Sequence, residues 1–134
     1  MLWTIEFGGD PQDVTVTTEG EATPEGFARM NAELAEDERF GPGMLVLVDH
    51  TRLLVHELSE RKVRTISHEF AESEAELRSA IVAIVAPRPV QFGLARMSTM
   101  IAEPQTSAVC VFYTRAEALA WLRQMRGNGA DATS

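Results

Sequence analysis

The first apolar residues of the chain alternate with polar ones and predict two short strands. These are "LWTIEF" at 2–7 and "DVTVTTEG" at 13–20, and alternation is the period of a half-buried strand. The segment "GGDPQD" between them is rich in turn-forming residues. The chain therefore opens with a predicted antiparallel hairpin.

A change of spacing after the hairpin predicts the first helix. Thr23 followed by Pro24 is typical of a helix start, with Thr as the N-cap and Pro as the first helical residue. An apolar face is predicted from residues that recur every three or four positions, namely Phe27, Met30 and Leu34. The turn formers of "FGPG" end this segment.

Apolar runs and helical periods then alternate to the end of the chain. Strands are predicted at 44–49 ("MLVLVD"), 78–87 ("RSAIVAIVAP") and 107–113 ("SAVCVFY"). Helices are predicted near 59–73, from Pro89 to Glu103, and after a capping box formed by Thr114 and Glu117. The predicted core positions of these helices are Val63, Ile66, Phe70, Val90, Leu94, Met97, Ile101, Ala118, Leu119, Leu122 and Met125.

The predicted order of elements is ββαβαβαβα, which indicates an α/β fold. Strands that alternate with helices favour a mostly parallel sheet, here opened by the N-terminal hairpin. A chain of 134 residues is the usual size of one domain. We predict a single domain at 1–126 and a flexible C-terminal tail at 127–134.

Three segments give the chain a family resemblance. With "GPGMLVLVD", "FGLARM" and "VFYTRAEALAWL", the sequence resembles the bacterial SpoIIAA-like proteins, whose fold is of the STAS or STAS/SEC14-like type. The resemblance extends from Leu2 to about Arg126. It implies the STAS fold, and the members of this branch are mostly uncharacterised in function.

The distribution of charge argues against nucleic-acid binding. The net charge is −8, and residues 1–50 contain eleven acidic residues but only two basic ones. Binding to a phosphate backbone requires a basic face. The N-terminus has no basic segment of the signal-peptide type, and no apolar run reaches the length of a membrane span. We expect a cytoplasmic protein.

Polar residues cluster where the predicted strands end. The buried strand at 44–49 leads into Asp49, His50, Thr51 and Arg52, and Arg88 follows the next strand. Ligands of open parallel sheets bind outside these carboxyl ends. Asp49, Thr51 and Arg88 are therefore candidate binding residues, and Arg88 or Arg115 could hold an anion beside a helix N-terminus.

Enzymatic chemistry at this edge is not supported by the sequence. A serine hydrolase would place its nucleophile in a G-x-S-x-G turn after a strand, and the sequence has none. The three histidines lack metal-ligand spacing, and "GPG" precedes a strand, whereas a nucleotide-binding turn would follow one. We predict neither a catalytic residue nor a metal or cofactor.

Two non-catalytic roles remain open for this cluster. STAS domains that act as anti-sigma-factor antagonists carry a phosphorylatable serine after the corresponding strand, and Thr51 is the only hydroxyl at that place. A phosphate on Thr51 would add about −1.5 to −2 charges beside Asp49. Alternatively, the Asp49 carboxylate accepts backbone N–H bonds from the residues that follow it, and this structural role is the interpretation we favour.

Further candidates lie on helix surfaces. Arg61, Arg64 and His68 form a basic ridge on the second helix, which either docks a partner or pairs with neighbouring glutamates. Phe92 and Arg96 project away from the predicted core face of the third helix, so Phe92 needs a cover, unless it turns inward. Met100 and Trp121 are candidate lining residues of an apolar cavity between the last two helices and the sheet.

The sequence thus leaves two functions open. One is a non-enzymatic STAS-like module that binds an unknown protein partner or forms a homodimer. The alternative is a carrier or sensor of a small apolar or amphiphilic ligand, by analogy with lipid-binding relatives of the fold.

Overall fold

The computed structural model of the protein describes residues 1–71, 79–102 and 108–133, with side chains described except at 67, 69–71, 98–102 and 128–133. Its strands are β1 (Leu2–Phe7), β2 (Val14–Glu21), β3 (Leu45–Leu54), β4 (Ile81–Val85) and β5 (Ala108–Phe112). Its helices are α1 (Pro24–Glu36), α2 (Glu60–Ala71), α3 (Pro89–Ala102) and α4 (Arg115–Thr133). The predicted order ββαβαβαβα is confirmed.

The five strands form one sheet in the order β1-β2-β3-β4-β5. β1 pairs antiparallel with β2, and each later pair is parallel. The α/β class, with a mostly parallel sheet opened by a hairpin, is therefore confirmed. Each parallel pair is joined through a helix, which lets neighbouring strands run in the same direction.

Alternation along the strands gives the sheet two different apolar faces. Val46 and Val48 of β3 lie in one buried cluster, which packs against α1. Leu45 and Leu47 face the opposite way and pack against Ala118 and Leu122 of α4, and against their neighbours. Helices α1, α2 and α3 cover the first face, since residues of all three lie with β3 and β4 around one cavity. Among the described residues, helix α4 covers the second face.

The two helix starts for which the sequence predicts a cap, at Thr23 and Thr114, have these caps. Thr23 Oγ1 accepts a hydrogen bond from the Gly26 N–H at 3.0 Å. At the start of α4, Thr114 Oγ1 accepts from the Glu117 N–H at 3.2 Å and donates to the Glu117 carboxylate at 2.9 Å. The bonds from the Gly26 and Glu117 N–H groups each satisfy a donor that has no partner within its helix.

The prediction for β3 was too short. The strand continues past Asp49 to Leu54, whereas the predicted strand ended at residue 49. Its last residues pair with β2 on one side, and Leu53 is buried. The polar residues of "DHTR" indicated that the strand ends there, but their backbone remains extended.

The prediction for the buried face of α3 was wrong at its first turn. Val90 is 67% exposed, whereas Gln91 is 3% exposed. The reason is that the Gln91 amide has hydrogen-bond partners on β3, which makes its burial favourable. The predicted core positions Phe70 and Ile101 fall outside the described side chains. Helix α4 extends to Thr133, beyond the predicted boundary at 126.

Over the described residues, none of the helices combines the length and apolarity that a membrane crossing requires.

Candidate functional site

An apolar cavity of about 140 Å³ lies between the sheet and helices α1, α2 and α3, and it is partly open to solvent. Most of its described lining residues are aliphatic or aromatic, and the three polar ones are Asn31, His50 and Gln91. The full lining consists of Phe27, Met30, Asn31, Val48, His50, Leu53, Val55, Leu58, Val63, Ile66, Val82, Ile84, Gln91, Leu94, Ala95 and Val109. An apolar cavity of about 150 Å³ in another protein binds benzene. The space is therefore suited to a ligand of about one ring.

His50 is the one ionisable residue among the described lining residues. It is 8% exposed, and its ring meets Phe27 edge-on, with centroids 5.8 Å apart. Burial lowers the pKa of His50 from 6.5 to about 4, against the opposing charge of Asp49. The imidazole is therefore neutral at pH 7, and it adds a polar atom to the cavity without adding a charge.

The two nitrogens of His50 have different surroundings. Nδ1 lies 2.7 Å from Oγ1 of Thr18, which is itself fully buried and 3.2 Å from the Asp49 carbonyl. No residue in the described part of the chain makes a hydrogen bond to Nε2. When Thr18 donates to Nδ1, Nε2 carries the proton and is a donor; when the Thr18 hydroxyl points to the Asp49 carbonyl, Nε2 is an acceptor. In both tautomers, Nε2 offers one hydrogen bond.

A β-bulge places Leu53 on the same face of the sheet as His50. Thr17 pairs with Asp49, but Glu19 pairs with Arg52, so Thr18 faces both His50 and Thr51. One extra residue in a strand shifts the alternation of side chains. As a result, both His50 and Leu53 line the cavity, although three positions separate them.

Arg88, which directly precedes α3, and Gln91, in its first turn, bind the part of β3 that extends beyond β4. The last paired residues are Asp49 and Val85, which leaves the later carbonyls of β3 without a strand on that side. The Gln91 amide donates to the carbonyls of His50 at 2.7 Å and Leu53 at 2.6 Å. The Arg88 guanidinium donates to the carbonyls of Thr51 at 3.0 Å and of Leu53. These side chains replace a missing strand neighbour.

Asp49 lies at the centre of a cluster on the other side of β3. Its Oδ1 accepts from the Thr51 N–H at 2.9 Å and from the Thr51 hydroxyl, and its Oδ2 lies 3.1 Å from Arg115 Nη1. Burial raises the pKa of Asp49, but the bonds from Thr51 and the charge of Arg115 outweigh it, and the net pKa is lowered. Asp49 therefore stays ionised, with both oxygens engaged.

One comparison with known proteins found a similar structure. No model of a known protein family matches this sequence, and a search of curated proteins found no match. A crystal structure of an uncharacterized protein of the DUF3478 family from Shewanella loihica PV-4, described as having a SpoIIAA-like fold, aligns with a TM-score of 0.55 at 22% identity. The alignment covers 90% of this chain and 92% of that one. This chain has a SpoIIAA-like fold.

On this SpoIIAA-like fold, three of the sequence-predicted candidates come together. Thr51 connects Asp49 to Arg88, because it donates to the Asp49 carboxylate while its carbonyl accepts from Arg88. The bond from the Thr51 N–H to Asp49 agrees with the structural role we favoured for that carboxylate. The binding groups of Asp49 and Arg88 are engaged within the protein, whereas Thr51 itself is exposed.

The remaining candidates lie away from the cavity or outside the described side chains. Phe92 is half-buried and stacks on Tyr113, with centroids 3.9 Å apart, so a residue of the same chain covers it. Trp121 packs near Phe112 on the α4 face of the sheet. Arg96 is exposed on α3, and Met100 falls outside the described side chains. The cavity therefore lies on the opposite face from the one that the Trp121 prediction implied.

The predicted basic ridge of α2 is exposed. Arg61, Arg64 and His68 all face solvent, and Arg64 makes an i,i+4 ion pair with Glu60 at 3.0 Å. Exposed pairs of this kind contribute about 0.3–0.5 kcal/mol. Both sequence interpretations of the ridge, a docking surface and local pairing, are compatible with this geometry.

Sequence reasoning missed His50, Thr18 and Gln91 as site residues. The alternation of Val46, Val48 and His50 along β3 was a usable signal, because it places His50 on the α1 side of the sheet. The alternation of Val14, Val16 and Thr18 along β2 gives the same signal for Thr18. No comparable signal exists for Gln91, whose partners on β3 lie more than thirty positions away in the chain. Over the described residues, no group of three or more acidic, histidine or cysteine side chains forms a possible metal site.

Proposed function

We propose that this protein is a non-enzymatic carrier or sensor of a small apolar ligand, which binds in the cavity between the sheet and helices α1, α2 and α3. The single observation that carries the proposal is a cavity of about 140 Å³ whose described lining is mostly aliphatic and aromatic. Apolar pockets with a few placed polar groups are typical small-molecule sites.

The charged side chains of the polar cluster are hydrogen-bonded within the protein, which supports the non-enzymatic part of the proposal. Both oxygens of Asp49 are engaged by Thr51 and Arg115. The Arg88 guanidinium is engaged by backbone carbonyls of β3. A general base or an anion-binding site needs a group that is available to the substrate, and these groups already serve the fold.

Native mass spectrometry tests the proposal on protein that is gently purified from the cells that naturally produce it. We expect one small molecule per chain, which is released on denaturation. An Ala95→Phe variant fills the cavity, because Ala95 lines it, and this variant should carry no molecule. Ala120→Phe makes the same change at an exposed position of α4 and should retain the ligand. The proposal is wrong if wild type carries no molecule, or if Ala95→Phe retains one.

A second candidate function, binding of a protein partner or of a second copy, is favoured by exposed apolar residues. Leu54 at the end of β3, Val90 in the first turn of α3 and Tyr113 after β5 are all among the exposed large hydrophobic residues. They share the carboxyl edge of the parallel strands, and exposed apolar surface often marks an interface. Sedimentation velocity of the wild type and of Val90→Glu tests this candidate. A wild-type dimer that Val90→Glu dissociates supports it, and a monomeric wild type argues against a homodimer.

A further inference from the structure

We infer that the ligand is an uncharged molecule of about one ring with a single hydrogen-bonding group, and that Nε2 of His50 binds this group. The inference rests on the proposed function and specifies the chemical class of its ligand. It is carried by an imidazole nitrogen without a partner in the described part of the chain, on a side chain that is 8% exposed and lines a mostly apolar cavity, together with the size of that cavity.

The lining excludes charged ligands. Among the described lining residues there is no Asp, Glu, Lys or Arg, and the neutral ring of His50 supplies no charge. A charged group that moves from water into such a site loses its hydration and finds no counter-charge. A carboxylate or an ammonium group is therefore disfavoured, whereas a hydroxyl, a carbonyl or a neutral amine is tolerated.

The hydrogen bonds of the polar lining residues point to His50. The two N–H groups of the Gln91 amide are both used by the carbonyls of His50 and Leu53. Asn31 is only half-buried, so water competes for its amide. His50 is buried, its Nδ1 is held by Thr18, and its Nε2 has no partner in the described part of the chain. A ligand group that hydrogen-bonds to Nε2 gives this atom the partner that the described residues do not supply.

The bond between Thr18 and Nδ1 also fixes the direction of Nε2. Because β2 holds Thr18 and β3 holds His50, the ring cannot rotate without breaking a buried hydrogen bond of 2.7 Å. Thr18 is thus a positioning residue for the ligand-binding atom. A ring that is already held in one orientation loses less conformational entropy when a ligand binds.

Three probes of nearly equal size separate the parts of this inference. Toluene is apolar, phenol replaces its methyl group with a hydroxyl, and N-methylpyridinium carries a permanent positive charge. Binding of each is measured by NMR titration at pH 7 with the wild type, with His50→Phe and with His50→Gln. Glutamine presents a hydrogen-bonding amide at a similar distance from the backbone, so His50→Gln is the conservative variant.

We expect wild type to bind toluene and phenol but not N-methylpyridinium. His50→Phe should reduce the affinity for phenol relative to that for toluene by roughly 2- to 10-fold, the value of one net hydrogen bond. His50→Gln should restore part of the lost preference. In the wild type, phenol should shift the ¹⁵N resonance of His50 Nε2 more than toluene does.

The outcomes distinguish the two proposals. If none of the probes binds, the ligand-binding function itself is overturned. If toluene binds but His50→Phe leaves the ratio of phenol to toluene affinity unchanged, the cavity binds ligands and the role of His50 is wrong. Binding of N-methylpyridinium as tight as that of toluene would overturn the restriction to uncharged ligands.

Discussion

The Nδ1 atom of His50 and the Oγ1 atom of Thr18 lie 2.7 Å apart in the buried interior. This bond joins β2 to β3 at the bulge where their register shifts. It occupies Nδ1 of the imidazole, while Nε2 has no partner in the described part of the chain. In the proposed function, the stability of the fold and the binding of the ligand depend on the same pair of side chains.

Replacement of Thr18 by valine should destabilise the protein by about 1–3 kcal/mol. Valine has nearly the same shape, but it leaves Nδ1 of His50 buried without a partner, and such a group costs this amount. Urea denaturation of the two proteins measures the difference. Thr4→Val is the matched control on an exposed position of β1, where we expect a change within about 0.5 kcal/mol. Equal stability of the two variants would contradict the role of the bond.

The burial of His50 should make the protein less stable as the pH falls from 6.5 towards 4. The folded-state pKa is about 4, below the ordinary value of 6.5, so in this window the unfolded chain takes up a proton that the folded chain does not. The contribution of neutral His50 to the free energy of unfolding is fully present above pH 6.5. About 3 kcal/mol of the free energy of unfolding is lost by pH 4.

Urea denaturation at a series of pH values measures this loss, with His50→Gln as the reference. Carboxylates elsewhere in the protein titrate in both proteins, so the difference between the two curves reports His50. Asp49, the charged neighbour, stays ionised because its own pKa is lowered. Parallel curves for wild type and His50→Gln would show that the ring is not buried in its neutral form.

Gln91→Leu should destabilise the protein by about 1–3 kcal/mol. Leucine is similar in size, but it removes the two donors that reach the carbonyls of His50 and Leu53. The His50 carbonyl then loses its side-chain donor, whereas the Leu53 carbonyl keeps Arg88, and one unsatisfied buried group costs this amount. The free energy of unfolding measures the effect. Gln124→Leu changes the same residue type at an exposed site on α4 and should be nearly neutral. A neutral Gln91→Leu would mean that water or another group satisfies these carbonyls.

Phe92→Ala should cost about 1–2 kcal/mol, whereas Val90→Ala should be nearly neutral. Phe92 stacks on Tyr113, and aromatic pairs of this kind contribute about 0.5–1.5 kcal/mol beyond the burial of their area. Val90 is 67% exposed, so its truncation removes little contact. Thermal unfolding of both variants tests the assignment, and the reverse order of effects would restore the face that the sequence analysis predicted for α3.

The elements of the fold could be predicted from the sequence because each has a local signal. The caps at Thr23 and Thr114 and the apolar periods of the helices act within a few residues of one another. The continuation of β3 beyond Asp49 had no such signal. Its carbonyls are satisfied by Arg88 and Gln91, which lie more than thirty positions further along the chain.

The sequence raised an apolar cavity as one candidate and did not indicate the sheet face on which the structure has one. Apolar helix faces indicated that helices pack on the sheet, but local periodicity does not specify which of the two sheet faces each helix covers. The prediction grouped Trp121 with α3, while the structure places α3 with α1 and α2 on one face and Trp121 on the other. His50 was overlooked because its sequence neighbours are polar, although its position on β3 is an inward one.

The most direct test of the central claim is the observation of a small apolar molecule inside this cavity. We would measure intermolecular nuclear Overhauser effects between toluene and methyl groups of the wild-type protein. The account predicts contacts to Val48, Ile66 and Val82, which line the cavity, and none to Leu47 or Leu122, which are buried on the α4 face. Contacts to the second set, or none to the first at saturating toluene, would contradict the account.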